Sequence, residues 1–156
     1  MRKKSILISI ILIIVSLDQI TKAYVTERFC YGESFPVLYN IFHITYVTNT
    51  GTAFSMFSGY SGLLLIFSIC AALGIAVYLF FDKFKKTSGD AIPLSFILGG
   101  AVGNLTDRIF RGAVVDFLDL RVWPIFNIAD SFITIGMTII IVEIIIRESN
   151  LKKIKK

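Results

Sequence analysis

SILISIILIIVSLDQITKAYV, residues 5–25, is the stretch that decides how this chain folds. From Ser5 to Leu17 it carries no charge, and then Asp18 and Lys22 follow, four residues apart. A helix of about 20 apolar residues crosses the ~30 Å hydrocarbon layer of a bilayer, and this segment is long enough to do so. Arg2-Lys3-Lys4 in front of it give it the look of a cleavable secretory leader. No small-x-small cleavage site follows, however, and the polar run Asp18-Gln19-Ile20-Thr21-Lys22 stands there instead, so the segment is expected to be a retained span.

Working outward, three more runs have the same character, at about 63–81, 91–110 and 128–146. The third reaches spanning length only with its polar end. The whole chain of 156 residues is 55% hydrophobic and 17% charged, with a mean hydropathy of +0.76. An aqueous domain of this size cannot hide that much apolar surface, so lipid is the expected solvent for much of it.

The net charge of +5 raises the question of nucleic acid, and the placement of the basic residues answers it. They gather as Arg2-Lys3-Lys4, as Lys83, Lys85 and Lys86, and as Arg147 with Lys152, Lys153, Lys155 and Lys156, each group abutting an apolar run. Eleven of the sixteen lysines and arginines thus fall on one side, which makes both termini and the middle loop cytoplasmic. No nucleic-acid partner is implied. Residues of about 26–61 and 109–126 face outward. The first of these alternates in Phe42-His43-Ile44-Thr45-Tyr46-Val47-Thr48, the signature of a strand, punctuated earlier by Gly32 and Pro36. The expected architecture is one integral membrane domain, mainly α, with four transmembrane helices and a small extracytoplasmic β-sheet on the membrane surface. Cys30 and Cys70 lack metal-ligand spacing and are expected as free thiols.

Ionisable groups within a span cost about 2.5–3.5 kcal/mol each unless paired or hydrated, so their positions are informative. On this topology Asp18 and Lys22 end the first helix on the outer side. Asn104, Asp107 and Arg108 end the third, and Asn127 and Asp130 open the fourth. Asp116 lies in the segment between. The i, i+4 spacing of Asp18 and Lys22 puts them on one helix face, as does the i, i+3, i+4 spacing of Asn104, Asp107 and Arg108. Each residue also has a plain reading. Asp18–Lys22 reads first as a structural ion pair, and Asp107 first as a polar cap where the third helix leaves the bilayer. Asn127 and Asp130 stand at N-cap and N3 spacing, and Asp116, with Asp119 nearby, can be an ordinary loop acid. Two carboxylates from separate elements, Asp116 and Asp130, nonetheless come to one level. The run Gly99-x-x-x-Gly103 suits close approach of the third helix to a neighbour. It is no phosphate loop, since no Lys-Ser/Thr follows.

At these residues the sequence resembles the lipoprotein signal peptidases, or signal peptidase II family. The matching stretches are Asp18-Gln19-Ile20-Thr21-Lys22, Asn49-Thr50-Gly51-Thr52-Ala53-Phe54 and Gly99-Gly100-Ala101-Val102-Gly103-Asn104-Leu105-Thr106-Asp107-Arg108. Val114-Val115-Asp116-Phe117 and Phe126-Asn127-Ile128-Ala129-Asp130-Ser131 follow in family order and spacing. The resemblance implies an aspartyl endopeptidase of the bacterial cytoplasmic membrane. Such an enzyme removes signal peptides from prolipoproteins just before a cysteine that already carries diacylglycerol. It implies that Asp116 and Asp130 are the catalytic pair. Asn49, Gly51, Asn104, Arg108 and Asn127 match positions that contact substrate or shape the site, and Asp18, Lys22 and Asp107 match supporting positions. Thr52 stands where the family more often has alanine. No cofactor or metal is implied, and the partners are the lipid-modified substrate and membrane lipid, with the enzyme acting as a monomer.

The rivals fare worse. Gly59-Tyr60-Ser61-Gly62 resembles the serine motif of rhomboid peptidases, but the sole histidine, His43, precedes the serine instead of standing on a later span. A turn opening the second helix accounts for the motif. The His-Glu-x-x-His of zinc peptidases and the glycine-aspartate signature of presenilin-type proteases are both missing. A small polytopic transporter or channel remains the alternative of a different class. It would need a polar path through the bilayer, whereas the second helix carries no charge.

Overall fold

In a computed structural model, residues 2–51, 61–81 and 91–154 of the chain are described. Thr52, the Gly59-Tyr60 turn and the basic run Lys83, Lys85 and Lys86 lie outside them. Among the described residues the fold has four long helices and three short strands: α1 (Arg2–Arg28), β1 (Ser34–Leu38), β2 (Phe42–Asn49), α2 (Ser61–Phe80), α3 (Ala91–Phe110), β3 (Val114–Asp119) and α4 (Ile128–Ile154). The helices differ from the expected spans chiefly at their ends. α1 runs through both flanks of 5–25, and α4 passes 146 by eight residues because no Gly or Pro interrupts the polar stretch after Ile146. α3 keeps the bounds expected of it. α2 begins two residues earlier than expected and ends at Phe80, with Phe81 already non-helical.

Two of the four helices are long and apolar enough to cross a membrane, over Lys4–Arg28 and Ile128–Leu151. α2 carries a shorter apolar stretch, Leu65–Phe80. α3 carries its polar residues inward, with Ser95, Asn104 and Asp107 all buried. The outer faces are apolar: Leu12, Ile20, Phe67, Leu73 and Ile145 are all at least 60% exposed. A helix that is apolar on its open face is one that lipid solvates.

α3 is the central helix and packs against each of the other three. Its glycines permit this. A Cβ on Gly99 would stand 3.0 Å from Ile14 Cβ, and one on Gly103 would stand 2.6 Å from Asp18 Oδ2, so the two glycines admit one face of α1. Gly100 meets the backbone carbonyl of Ala129 on α4, and Gly136 of α4 reciprocates against the carbonyl of Pro93, where a Cβ would come within 2.6 Å. The α3–α4 seam is further filled by Phe96 and Phe132, edge to face at 5.5 Å. On α1 the buried residues Leu7, Ile14, Asp18, Lys22 and Val25 recur every three, four or seven positions, the period of a single helix face. That face starts apolar and turns ionic toward its C-terminal end.

The sheet is antiparallel throughout, in the order β1-β2-β3. Pro36, expected as punctuation, instead lies within β1. As an edge strand β1 tolerates the missing N–H, and a bulge follows between Pro36 and Leu38. Asn40 takes up a left-handed backbone (φ 59°) in the tight connection to β2. A second bulge, between Ile44 and Val47, sets the register of β2 on β3, so that Val47 faces Asp116 and Asn49 faces Val114. β3 is tied to α3 by its Val115 N–H, which donates to Asp107 Oδ2 at 3.1 Å.

Candidate active site

Asp116 stands in the middle of β3, and the sheet register decides what surrounds it. Residues two apart share a strand face, so Asn49 is the diagonal neighbour of Asp116 across the β2–β3 ladder, and its Nδ2 donates to Asp116 Oδ2 at 3.2 Å. Gly51 fixes the orientation of that carboxamide by donating its backbone N–H to Asn49 Oδ1 at 2.9 Å. The chain then doubles back on β3. Phe126 bridges to Leu118, accepting the N–H of both Phe117 and Leu118, and this delivers the next residue, Asn127, to the side of Asp116.

Asn127 caps α4, and Asp130 is its N3 residue. The backbone N–H of Asp130 donates to Asn127 Oδ1 at 2.8 Å, and that of Asn127 donates to Asp130 Oδ2 at 3.4 Å, a reciprocal capping box. With its oxygen so engaged, Asn127 turns its Nδ2 to Asp116 Oδ1, at 2.7 Å, and to Asn104 Oδ1, at 3.1 Å. Asn104 then donates from Nδ2 to Asp130 Oδ1 at 2.7 Å. Two carboxamides therefore join the two carboxylates.

A buried ionic cluster supports this network. The Lys22 ammonium is fully buried and meets three acceptors: Asp18 Oδ2 at 2.8 Å, Asp107 Oδ2 at 2.8 Å and Asn104 Oδ1 at 2.9 Å. Since an ammonium only donates, it also fixes which end of the Asn104 amide faces Asp130. Asp18 reaches α4 as well, accepting the N–H of Ala129 at 2.9 Å. Asp107 is fully buried and pairs with Lys22 and Arg111. The expected polar cap is thus instead a buried counter-ion, because β3 folds over the end of α3 and closes Asp107 off from solvent. With Asp18, Lys22, Asp107 and Arg111 the cluster sums to no net charge, which is what burial of ions requires. The structural ion pair expected of Asp18 and Lys22 is present.

Gln19 and Arg111 belong to the cluster and were not among the candidates read from the sequence. Gln19 Nε2 donates to Gly103 O at 3.1 Å and to Asp107 Oδ1 at 3.2 Å, and its Oε1 accepts from Arg111 at 3.2 Å. Arg111 stands four residues after Asp107, a spacing that signals such a pair. Asp119 belongs to another group, under the sheet. It accepts from the Thr45 hydroxyl at 2.8 Å and from both the backbone and the guanidinium of Arg121, which itself takes up a left-handed backbone (φ 65°). Burial pulls the Asp119 carboxyl up, but those hydrogen bonds outweigh it and hold the group below the usual carboxylate range.

Asp116 and Asp130 open into one cavity of about 890 Å³, with Asn49, Gly51, Asn104 and Arg108 also on its wall. Trp123, Phe126 and Ile133 give that wall an apolar part. Asn127 does not line it; fully buried, it stands behind the carboxylates and orients them. Burial first, and then the negative charge of Asp130, push the Asp116 carboxyl up to about 7, against the Asn49 and Asn127 hydrogen bonds and the charge of Lys22. A carboxyl that holds its proton near neutrality, facing a second carboxylate, is equipped for general acid–base work on a bound substrate.

The chain is similar to known proteins over most of its length. The family model described as Signal peptidase (SPase) II matches residues 10–146. A lipoprotein signal peptidase of Halothermothrix orenii is 39% identical over 135 residues, covering 85% of this chain and 90% of that protein. One of Nostoc punctiforme is 45% identical over 128 residues, covering 81% and 80%. A solved structure of a bacterial membrane enzyme, determined in meso at 2.3 Å, superposes with a TM-score of 0.86 at 33% identity, covering 94% of this chain and 91% of that one. The fold is that of a mainly helical, membrane-embedded enzyme with a small three-stranded sheet. The chain belongs to the signal peptidase II family.

Proposed function

We propose that this signal peptidase is an aspartyl endopeptidase that uses Asp116 and Asp130 to cut prolipoproteins just before a diacylglyceryl-modified cysteine. The observation that carries the reading is the placement of these two carboxylates, from β3 and α4, on the wall of one cavity and bound to each other through Asn127 and Asn104. Two carboxyl groups so coupled hold one proton between them near neutral pH. Asp130, near the positive end of α4, begins as the carboxylate. It takes a proton from water as the oxygen attacks the scissile carbonyl. Asp116 donates its proton to the developing oxyanion, which leaves a neutral tetrahedral diol. As the diol collapses, its hydroxyl proton returns to Asp116 and the proton on Asp130 passes to the leaving amine, so the pair ends as it began. Asn49 and Arg108 on the cavity wall are placed to hold the extended peptide backbone, with Gly51 fixing Asn49.

The membrane explains the site's position. All four helices span the cytoplasmic membrane, both termini face the cytoplasm, and the sheet lies on the outer surface beside the site. The acyl chains of the substrate cysteine stay in lipid while the scissile bond meets water at the outer interface. The protein acts as a monomer. The transporter or channel reading has no support, since the relatives are signal peptidases. A gel-shift assay with a diacylglyceryl-modified prolipoprotein and its unmodified counterpart tests the substrate. Cleavage of the modified form alone is expected, and equal cleavage of both would remove the lipid from the specificity.

A further inference from the structure

Both oxygens of Asp107 are engaged, and their partners bracket the connection from α3 to β3. Oδ1 accepts the Arg111 guanidinium, and it accepts Gln19 Nε2 at 3.2 Å. Oδ2 accepts the Lys22 ammonium at 2.8 Å and the Val115 N–H at 3.1 Å. Arg111 stands where the helix ends, its own N–H donating to Asp107 O at 2.7 Å. Gly112 beside it takes a left-handed backbone (φ 77°), which turns the chain out of the helix toward β3. One carboxylate therefore clasps the start of the connection through a side chain and its end through a backbone N–H. The residue after Val115 is Asp116.

Arg111 differs from the rest of the ionic cluster in its surroundings. Its side chain is 34% exposed, whereas Asp18, Lys22 and Asp107 are wholly buried. It is absent from the lining of the active-site cavity, so it meets no substrate there. It also lies between the stretches that carry the family resemblance, which stop at Arg108 and resume at Val114. Gln19 fixes it from α1, accepting Arg111 Nη1 at 3.2 Å. Without the guanidinium, Oδ1 of Asp107 loses its charged donor, and the carboxylate is freer to turn away from Val115. Water reaches this corner and can solvate the vacated oxygen, so the loss loosens the clasp without stranding a buried charge. We propose that Arg111 is a positioning residue for Asp116: bound to Asp107 Oδ1, it keeps Oδ2 on the Val115 N–H and so holds the next carboxyl against Asn49 and Asn127. This role rests on the two-aspartate reading of the site.

Steady-state cleavage of a diacylglyceryl-modified prolipoprotein by the full protein tests it, with melting curves and amide hydrogen exchange on the same samples. Arg111→Gln should lower kcat about 10-fold and leave KM within about twofold, as a misaimed reacting group does. Arg111→Lys keeps a cation four residues after Asp107 and should restore kcat to within about threefold of the parent. The β3 peptide should exchange about fivefold faster in Arg111→Gln, with the α4 peptide unchanged. If Arg111→Gln does not fold, Gln19→Leu, which removes the acceptor of Arg111 and keeps every charge, should show the same split between kcat and KM. A lower melting temperature with kcat retained would make Arg111 merely structural and overturn the proposal. Failure of Arg111→Lys to restore kcat, or unchanged β3 exchange in folded Arg111→Gln, would overturn it as well. Cleavage by Asp116→Asn would instead sink the two-aspartate reading, and the exchange result keeps the two failures apart.

Discussion

Asn127 holds Asp116 in place, its Nδ2 donating to Asp116 Oδ1 at 2.7 Å while its own Oδ1 accepts the backbone N–H of Asp130 at 2.8 Å. One side chain thus caps α4 and aligns both carboxylates, from a fully buried position off the cavity wall. Asn127→Ala is expected to lower kcat about 10-fold, the loss of one hydrogen bond that aligns the Asp116 carboxyl, with KM near the parent's. The lost cap should lower stability by about 1 kcal/mol. A raised KM with kcat retained would put Asn127 on the substrate instead.

The pH dependence follows from Asp116. Its carboxyl, raised by burial and by Asp130 to about 7, binds its proton more tightly folded than unfolded. The stability this confers is full below the unfolded value of about 4 and is lost as pH climbs through about 7. Melting temperature, as parent minus Asp116→Asn, should therefore decline across that window. The kcat/KM of the parent should fall above pH of about 7 as Asp116 loses the proton it donates. A profile flat through pH 6–9 on the order of one decade or less would contradict this assignment.

Lys22 is the only cation among the three buried groups Asp18, Lys22 and Asp107, and it also orients Asn104. Lys22→Met leaves two buried carboxylates short of their counter-charge and should destabilise the fold by about 3–5 kcal/mol. Thermal unfolding in detergent reads this directly. Unchanged melting with turnover abolished would move Lys22 from support to chemistry.

Gly103→Ala places a methyl group 2.6 Å from Asp18 Oδ2, in the seam that α3 shares with α1. Overpacking of this kind destabilises by about 1–3 kcal/mol. Gly74→Ala, where nothing lies within 4 Å of an added Cβ, is the matched control and should melt with the parent.

Much of this arrangement was legible in the sequence, and particular residues show where legibility ended. The pairing of Asp18 with Lys22 followed from i, i+4 spacing, and the capping relation of Asn127 to Asp130 from i, i+3 spacing at a helix start. The Gly99-x-x-x-Gly103 run announced a close helix contact, though not that α1 would fill it. Asp107 resisted because its burial depends on β3 returning over the end of α3, and helix periodicity holds no information about that return. Gln19 stayed hidden for a related reason, since its bond to Gly103 O exists only because glycine lets α1 and α3 approach. Alternation in β2 showed two faces but not the bulge between Ile44 and Val47 that sets Asn49 beside Asp116. Topology brought Asp116 level with Asp130 but left an ordinary loop acid as its other reading. The resemblance is what implied a catalytic role for the pair.

The most direct measurement is turnover of a diacylglyceryl-modified prolipoprotein by purified parent, Asp116→Asn and Asp130→Asn, each with its melting curve. Cleavage by the parent and none by either variant is expected, with both variants folded. Near-normal cleavage by either folded variant would contradict the two-aspartate mechanism.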